Sequence, residues 1–322
     1  MTEVALVMIG RNEGDRLKRA LDAAQGQAAR IVYVDSGSTD DSVAAARAAG
    51  ADVVELDMST PFSAARARNA GFYHLDHDSS PALVHFIDGD CALVPGWVEA
   101  AVAHIETDPQ LAVVTGWRSE IHRDASVYNQ MCDHEWRRPA GPITACGGDM
   151  LVRAEAFRRV GGFSPHVIAA EDDEFCQRLT AAGWRLERLP LDMTRHDAAM
   201  THFSQWWRRA VRAGHGFAQV GDLHDGYFRT EKSRVLLFGL ILPLIALFGT
   251  AWSMWVPGMV LGLYALSYMR TVAGLQNERL PPAEARKHAL FLTLSKFPNL
   301  LGMAKYRLSR VRNRTPEIIE YQ

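Results

Sequence analysis

Short apolar runs alternate with amphipathic stretches over the first ninety residues of the chain. The apolar runs predict buried strands at residues 4–9, 31–34, 52–56 and 82–87. Stretches with apolar residues at helical spacing separate these runs, and strands that alternate with helices imply βαβ units. The pattern therefore predicts an α/β fold with a Rossmann-like, mostly parallel sheet flanked by helices.

The last third of the chain has a different pattern. Residues 235–269 contain no charged side chain, and about 20 apolar residues already span a bilayer. Pro257-Gly258 interrupts the run, and Arg234 and Arg270 flank it. Basic residues on both sides favour a transmembrane hairpin with both ends in the cytoplasm. One span with an interfacial segment, or a buried pair of core helices, are the alternatives.

A further apolar stretch, about residues 286–306, carries Lys296 and Pro298 in its middle. Basic side chains follow it up to Arg314, so we expect an amphipathic helix on an anionic leaflet. We therefore divide the chain into an α/β domain, residues 1–225, and a membrane-associated helical region, residues 226–322. The N-terminus has no basic region and predicts no cleavable signal peptide. The expected location is the cell inner membrane, with the α/β domain in the cytoplasm.

Composition limits the possible partners and compartments. The 322 residues are 48% hydrophobic and can bury a large core in one or two domains. The formal net charge of −2 provides no field for nucleic acid, so no nucleic-acid partner is expected. The four cysteines lack CxxC spacing, which favours reduced thiols over a zinc site or a disulfide framework.

Acidic residues follow two of the predicted strands. Asp88-Gly89-Asp90 ends the fourth apolar run and Asp35 ends the second, and open α/β sheets bind ligands at the carboxyl ends of their strands. Two carboxylates there suit Mg²⁺ or Mn²⁺ together with substrate phosphates. Asp and Gly are also the commonest turn residues, and a helix-capping role for Asp35 stays open. Arg66 and Arg68 on the intervening helix are either a phosphate-binding fork or a solvated face.

These residues belong to motifs that occur in a recognisable order. The motifs are Arg11-Asn12-Glu13, Asp35-Ser36-Gly37-Ser38-Thr39-Asp40, Ala67-Arg68-Asn69-Ala70-Gly71 and Asp88-Gly89-Asp90. The order resembles the nucleotide-sugar half of an inverting, membrane-associated family 2 glycosyltransferase with the GT-A fold. The resemblance implies that Arg11, Glu13 and Asp35 hold base and ribose, with Arg66 and Arg68 as candidates near the nucleotide. It also implies that Asp88 serves the ribose and that Asp90 ligates the metal.

The acceptor half carries further motifs of the same family. Cys146-Gly147-Gly148-Asp149 resembles the Gly-Gly strand beside the sugar, with Asp149 where the family often has Asn, so Gly148 and Asp149 are implied donor contacts. Glu171-Asp172-Asp173-Glu174-Phe175 resembles the family's Glu-Asp-x-Glu-Phe motif, which implies that Asp172 is the general base. Acids at a helix start are also favoured by the helix dipole alone.

Two more features complete the implied site. His196 lies after a strand predicted at residues 185–189, where the family supplies a third metal contact. Arg208 and Arg212 lie one turn apart on an aromatic, basic helix that would close over the nucleotide diphosphate. An interfacial helix whose Trp and Arg side chains meet lipid headgroups is the alternative. Residues 118–145 are expected to form a variable acceptor loop.

The resemblance implies a metal-dependent, hexosyltransferase-type enzyme with Mn²⁺ or Mg²⁺ as cofactor. It would move a sugar from a nucleotide-diphosphate sugar to a hydroxyl of a lipid-linked saccharide or a growing exopolysaccharide, with membrane lipids as partners. A polyprenyl-phosphate glycosyltransferase and a non-enzymatic, membrane-anchored nucleotide-binding protein are the alternatives. A nucleotidyltransferase is disfavoured because it needs a glycine-rich phosphate loop after the first strand, and Ile9-Gly10-Arg11-Asn12-Glu13 contains one glycine.

Overall fold

The computed structural model describes residues 2–78 and 80–312, and the chain divides into two compact units. The first unit comprises residues up to Ala125 and Cys132–Ala199; the second comprises Ser126–Met131 and the chain from Met200 onward. The units divide at residues 199/200, upstream of the boundary predicted at residue 225. Arg314, counted above among the basic residues, lies outside the described residues.

The first unit contains a nine-stranded sheet. Its strands are β1 (Val4–Gly10), β2 (Arg30–Asp35), β3 (Asp52–Glu55), β4 (Leu83–Asp88), β5 (Cys91–Leu93), β6 (Leu111–Glu120), β7 (Gly141–Pro142), β8 (Met150–Arg153) and β9 (Arg185–His196). The strand order is β3-β2-β1-β4-β8-β6-β9-β5, and β7 pairs with β9.

Helices cover the sheet and form most of the second unit. Those that follow the strands are α1 (Asp15–Ala24), α2 (Ser42–Ala48), α3 (Ala64–Asp78), α4 (Trp97–Ile105), α5 (Val127–Trp136), α6 (Ala154–Val160) and α7 (Glu171–Ala181). The helices from residue 200 onward are α8 (Phe203–Leu223), α9 (Arg229–Leu236), α10 (Leu242–Gly249), α11 (Trp255–Asn277), α12 (Pro282–Leu294) and α13 (Lys296–Val311).

The first half of the sheet follows the predicted βαβ pattern. Strands β1, β2, β3 and β4 pair in parallel, with Gly10 beside Asp35 and Ile9 beside Asp88. Their carboxyl ends therefore meet at one edge of the sheet. The α/β fold and the flanking helices are as predicted.

The second half of the sheet mixes parallel and antiparallel pairs. Strand β8 runs antiparallel to both β4 and β6, β9 runs parallel to β6, and β5 runs antiparallel to β9. Two expectations are wrong here. Residues 118–120 end β6 and are not part of a loop, because the apolar residues 111–114 begin a buried strand there. Strand β9 also continues to His196 instead of ending at residue 189.

Side chains that alternate along each strand fill two cores, one on each face of the sheet. One core contains stacked aromatic rings, among them Phe72, Phe86 and Phe157. The other contains Trp97, whose indole N–H donates to Nε2 of the buried His85 at 2.8 Å. The four cysteines form no disulfide, although the sulfur atoms of Cys146 and Cys176 lie 3.6 Å apart.

In the second unit, α9, a π-helical turn at Leu237–Ile241 and α10 form one continuous helix, Arg229–Gly249. Within the described residues it is the one helix long and apolar enough to cross a membrane. Of its most apolar 18 residues, 17% are buried within the protein. The helical structure of the apolar run breaks at residues 250–254, and not at Pro257-Gly258 as the sequence predicted. Pro257 lies in the first turn of α11, where the missing N–H has no helical partner to lose.

The stretch predicted as a single amphipathic helix is two helices, α12 and α13, separated at Ser295. Pro298 cannot donate a hydrogen bond to the carbonyl four residues earlier, so the helix restarts with Pro298 in its first turn. Helix α13 packs closely against α8. A Cβ on Gly214 would overlap the backbone of Asn299, and a Cβ on Gly302 would overlap the carbonyl of Val211.

Candidate active site

The edge where β1, β2 and β4 end carries the residues assigned to the nucleotide. Asp35 lies at the end of β2, and its Oδ2 accepts the backbone N–H groups of Gly37 and Ser38 at 2.9 Å each. Its Oδ1 accepts the hydroxyl of Tyr33 at 3.3 Å. The carboxylate thus shapes the loop after β2, and it remains a predicted ribose or base contact.

The loop after β1 presents Arg11 and Glu13 at the same edge. The guanidinium carbon of Arg11 lies 4.8 Å from the ring centroid of Phe62. Glu13 pairs with Arg16 at 2.9 Å. Burial and the nearby negative charge of Asp90 raise the pKa of Glu13 to about 7. Glu13 therefore belongs to the same acidic cluster as Asp90.

Asp90 and His196, the two predicted metal ligands, lie side by side. Antiparallel pairing sets Cys91 beside His196, which places the residue before Cys91 against the imidazole. Asp90 Oδ2 lies 3.1 Å from His196 Nε2, and both side chains are buried. On the other side of the ring, Glu120 Oε2 lies 3.4 Å from Nδ1. A carboxylate that orients a ligating histidine is a common feature of metal sites.

The donor set of this cluster fits a divalent cation. A hard carboxylate oxygen and an imidazole nitrogen converge, and both are suitable ligands for Mn²⁺. Burial alone would lower the pKa of His196, but Asp90, together with Glu120, raises it to about 9. A metal would replace that proton. Cys91 also lies in the cluster, but burial raises the pKa of its thiol, which disfavours the thiolate needed for ligation.

A second acidic group, around Asp88 and Asp149, is neutralised by an arginine. Arg118 NH2 lies 2.8 Å from Asp149 Oδ1 and 3.5 Å from Asp88 Oδ2. Asp149 is 1% exposed and also accepts the hydroxyl of Thr194 at 2.8 Å. Both of its oxygens are therefore engaged within the protein, and the contact between Asp149 and the donor sugar remains a prediction.

The two arginines of α3 occupy different environments. Arg66 donates to the backbone carbonyls of Asp57, Thr60 and Pro61 at 2.7–3.1 Å, so it braces the loop before its own helix. Arg68 is 2% exposed and donates to Asp88 and Glu171. A Cβ on Gly148 would overlap the Arg68 guanidinium. The space left by that glycine thus holds an arginine of the protein itself.

Asp172, the predicted base, lies in the first turn of α7 and is partly buried. Burial raises the pKa of its carboxyl well above the usual range, and the neighbouring Glu171 and Asp173 raise it further, whereas Arg68 lowers it. Residue 170 before the helix adopts a left-handed conformation with φ 57°, which redirects the chain into α7. Arg208 and Arg212 lie on α8 in the second unit.

Sequence reasoning missed Arg118 and Glu120. Both lie at the end of β6, whose parallel pairing sets Arg118 beside Thr194 and Glu120 beside His196. The apolar run at residues 111–114, followed by charged residues at a strand end, was the available signal. It was the same signal that pointed to Asp88.

Two family profiles match the part of the chain that forms most of the first unit. Residues 5–159 match the profile described as Glycosyl transferase family 2. Residues 132–202 match one described as N-terminal domain of galactosyltransferase.

The chain is also similar to curated proteins and to a solved structure. It is 27% identical over 238 residues to the pre-mycofactocin glycosyltransferase of Mycobacterium tuberculosis, which covers 69% of this chain and 48% of that relative. It is 24% identical over 237 residues to glycosyltransferase AglE of Haloferax volcanii, covering 67% and 73%. The chain thus spans about half the length of the mycobacterial relative.

The solved structure is the mannosyltransferase PcManGT from Pyrobaculum calidifontis in complex with GDP-Man and Mn²⁺. The two structures align with a TM-score of 0.62 and 17% sequence identity. The alignment covers 96% of this chain and 88% of the mannosyltransferase. At this identity the likeness concerns the fold.

Proposed function

Because the chain belongs to glycosyltransferase family 2, we propose that it is an inverting glycosyltransferase that uses a nucleotide-sugar donor and a hydroxyl acceptor. One observation carries the proposal. Asp90 and His196, more than a hundred residues apart in sequence, meet at 3.1 Å at the end of the sheet where Asp35 and Asp88 also lie.

Asp90 and His196 would hold the divalent cation, Mn²⁺ or Mg²⁺. When bound, such a cation offsets negative charge on a nucleotide diphosphate. Glu120 keeps the imidazole oriented through Nδ1. The solved mannosyltransferase named above contains Mn²⁺ and GDP-Man, which supports a metal and a nucleotide diphosphate sugar for this chain as well.

Asp172 would accept the proton of the acceptor hydroxyl while the hydroxyl oxygen forms a bond to the anomeric carbon. The bond from that carbon to the diphosphate breaks on the opposite face, and the configuration inverts. A general base works best when its pKa lies near the working pH. The raised pKa of Asp172 moves it in that direction.

We propose further that the chain acts at the cytoplasmic face of the inner membrane on a lipid-linked saccharide or a growing exopolysaccharide. The helix at Arg229–Gly249 has the length and composition of a membrane span. Trp252 and Trp255 follow it and are more than 80% exposed. Tryptophans at the end of an apolar helix suit the membrane interface.

The test is donor binding and transfer by the full chain. Thermal unfolding with UDP, GDP or dTDP, each with and without Mn²⁺, should show one base with a metal-dependent stabilisation. Asp90→Asn should abolish the Mn²⁺-dependent part, because it removes the carboxylate charge next to His196. Asp76→Asn, which breaks a surface ion pair with Arg158, is the matched control. No nucleotide response in the wild type would refute the proposed function.

Product analysis distinguishes the acceptors. Radiolabelled sugar that enters a lipid extract through a phosphate linkage would identify a polyprenyl-phosphate glycosyltransferase instead. Label in an oligosaccharide would support the proposed saccharide acceptor.

A further inference from the structure

Arg68 connects the two halves of the first unit through their acidic residues. Its NH2 donates to Asp88 Oδ1 at 2.7 Å, and its NH1 donates to Glu171 Oε1 at 2.8 Å. The partners lie 20 residues later in β4 and 103 residues later in α7. With both terminal nitrogens engaged and the side chain buried, Arg68 is poorly placed to bind a donor phosphate.

We propose that Arg68 is a positioning residue that fixes the start of α7 against the end of β4 and provides a positive charge that favours the carboxylate form of Asp172. The inference rests on the proposed function, because it assigns the control of the proposed base. It also reverses the sequence-based interpretation of Arg68 as a phosphate fork.

The packing around Arg68 allows one position for the guanidinium. Gly148 has no side chain, and a Cβ there would overlap the guanidinium. The ring centroid of Phe163 lies 5.4 Å from the guanidinium carbon. An arginine held between a backbone, an aromatic ring and two carboxylates has little rotational freedom. Glu171, the first residue of α7, is therefore fixed as well.

Arg68 is a positive charge among the acidic groups around Asp172. Glu171 and Asp173 flank Asp172 on its own helix, and the Cys176 thiol lies one turn further along. Among the groups that act on the carboxyl of Asp172, Arg68 of α3 is the cation that lowers its pKa. Without Arg68, helix α3 would supply no positive charge to the carboxyl groups of Asp88, Glu171 and Asp172. Protonation of Asp172 would then become more favourable.

Carbodiimide labelling can follow the protonation of Asp172 directly. The reagent activates protonated carboxyl groups, an added amine captures them, and peptide fragmentation separates Asp172 from its acidic neighbours. We would measure the labelling of Asp172 against pH in the full chain, with Asp172→Asn as the blank. No donor or acceptor is present, so the result is independent of whether the chain transfers sugar.

In Arg68→Met, the midpoint of Asp172 labelling should shift to higher pH. Arg68→Lys keeps the charge but reaches one carboxylate at most, so its shift should be smaller. Arg158→Met removes an arginine that pairs with α3 through Asp76, and its midpoint should match the wild type.

An unchanged midpoint in Arg68→Met overturns the inference. If circular dichroism shows that this variant is unfolded, Arg68→Gln, which removes the charge and keeps a polar side chain, decides: an unchanged midpoint there also overturns the inference. Where the wild type transfers sugar, the acidic limb of the pH profile of kcat/KM should shift in parallel with the labelling. A wild type without transfer refutes the proposed function and leaves the labelling result valid.

Discussion

Carboxylates in the first unit differ in how many protein partners they have. Asp149 accepts from Arg118 and Thr194, and Asp35 accepts from two backbone N–H groups and a tyrosine. Asp172, in contrast, has a carboxyl whose protonation is favoured by burial and like charges. A carboxyl group with such a raised proton affinity can serve as a general base.

Asp172→Asn should remove transfer and keep donor binding. The amide retains the size of the side chain and cannot accept the acceptor's proton, and loss of general base catalysis typically costs about 10²–10⁴ in rate. Steady-state kinetics and nucleotide titration of the same preparation measure both effects. Asp173→Asn is the neighbouring control. Loss of nucleotide binding in Asp172→Asn would indicate a structural role.

His85 should make the stability of the chain sensitive to acid. Burial lowers its pKa from 6.5 to about 4, so between these values the unfolded chain binds a proton that the folded chain does not. The free energy of unfolding should therefore be unaffected by His85 above pH 6.5 and fall as the pH drops towards 4. The full effect of one such group is about 3 kcal/mol.

Denaturant unfolding of His85→Gln tests this dependence. The glutamine oxygen can accept the Trp97 indole N–H and does not titrate. As the pH falls from 6.5 to 4, the wild type should lose more free energy of unfolding than the variant does. A constant difference would show that His85 does not titrate with folding.

At the level of elements, glycines determine how closely α8 and α13 approach. Gly214 faces the Asn299 backbone and Gly302 faces the Val211 carbonyl. Small residues at facing positions let two helix backbones come together. Neither pair is visible as a motif in the sequence, because the two glycines lie on different helices.

Gly214→Ala should destabilise the second unit by about 1–3 kcal/mol, the usual result of overpacking. Gly262→Ala is the control, since a Cβ on Gly262 in α11 would have nothing within 4 Å. There the alanine should be neutral or stabilising through helix propensity. Thermal unfolding in detergent compares the two, and equal melting temperatures would argue against close packing at Gly214.

At the level of the whole molecule, the exposed apolar surface of the second unit supports membrane association. Leu247 and Phe248 near the end of the long helix are 64% and 67% exposed. Such surface is costly in water and is expected to contact lipid or another apolar partner.

Leu247→Arg should therefore lower the fraction of the full chain that stays in membranes after an alkaline carbonate wash. A charge in the bilayer core costs about 2.5–3.5 kcal/mol on insertion scales. Leu191→Arg, at an apolar position of the first unit that is 44% exposed, should leave that fraction unchanged. A wild type that washes off membranes entirely would contradict the predicted span.

The sequence by itself determined the α/β fold, the strands that precede Asp35 and Asp88, and the uncharged apolar run at residues 235–269. These features depend on local periodicity and on the composition of contiguous segments, which a single chain displays directly. The order of the motifs likewise indicated the family before any contact between them was known.

The tertiary structure decided which of the predicted residues meet. The pairing of β5 and β6 with β9 brings Asp90, Glu120 and His196 together, and strand register cannot be read from one sequence. The same holds for Arg68, whose sequence position suits a phosphate ligand and whose surroundings make it an internal link between two carboxylates. Local chemistry specifies what a side chain can do, and packing between distant segments selects which of those possibilities is used.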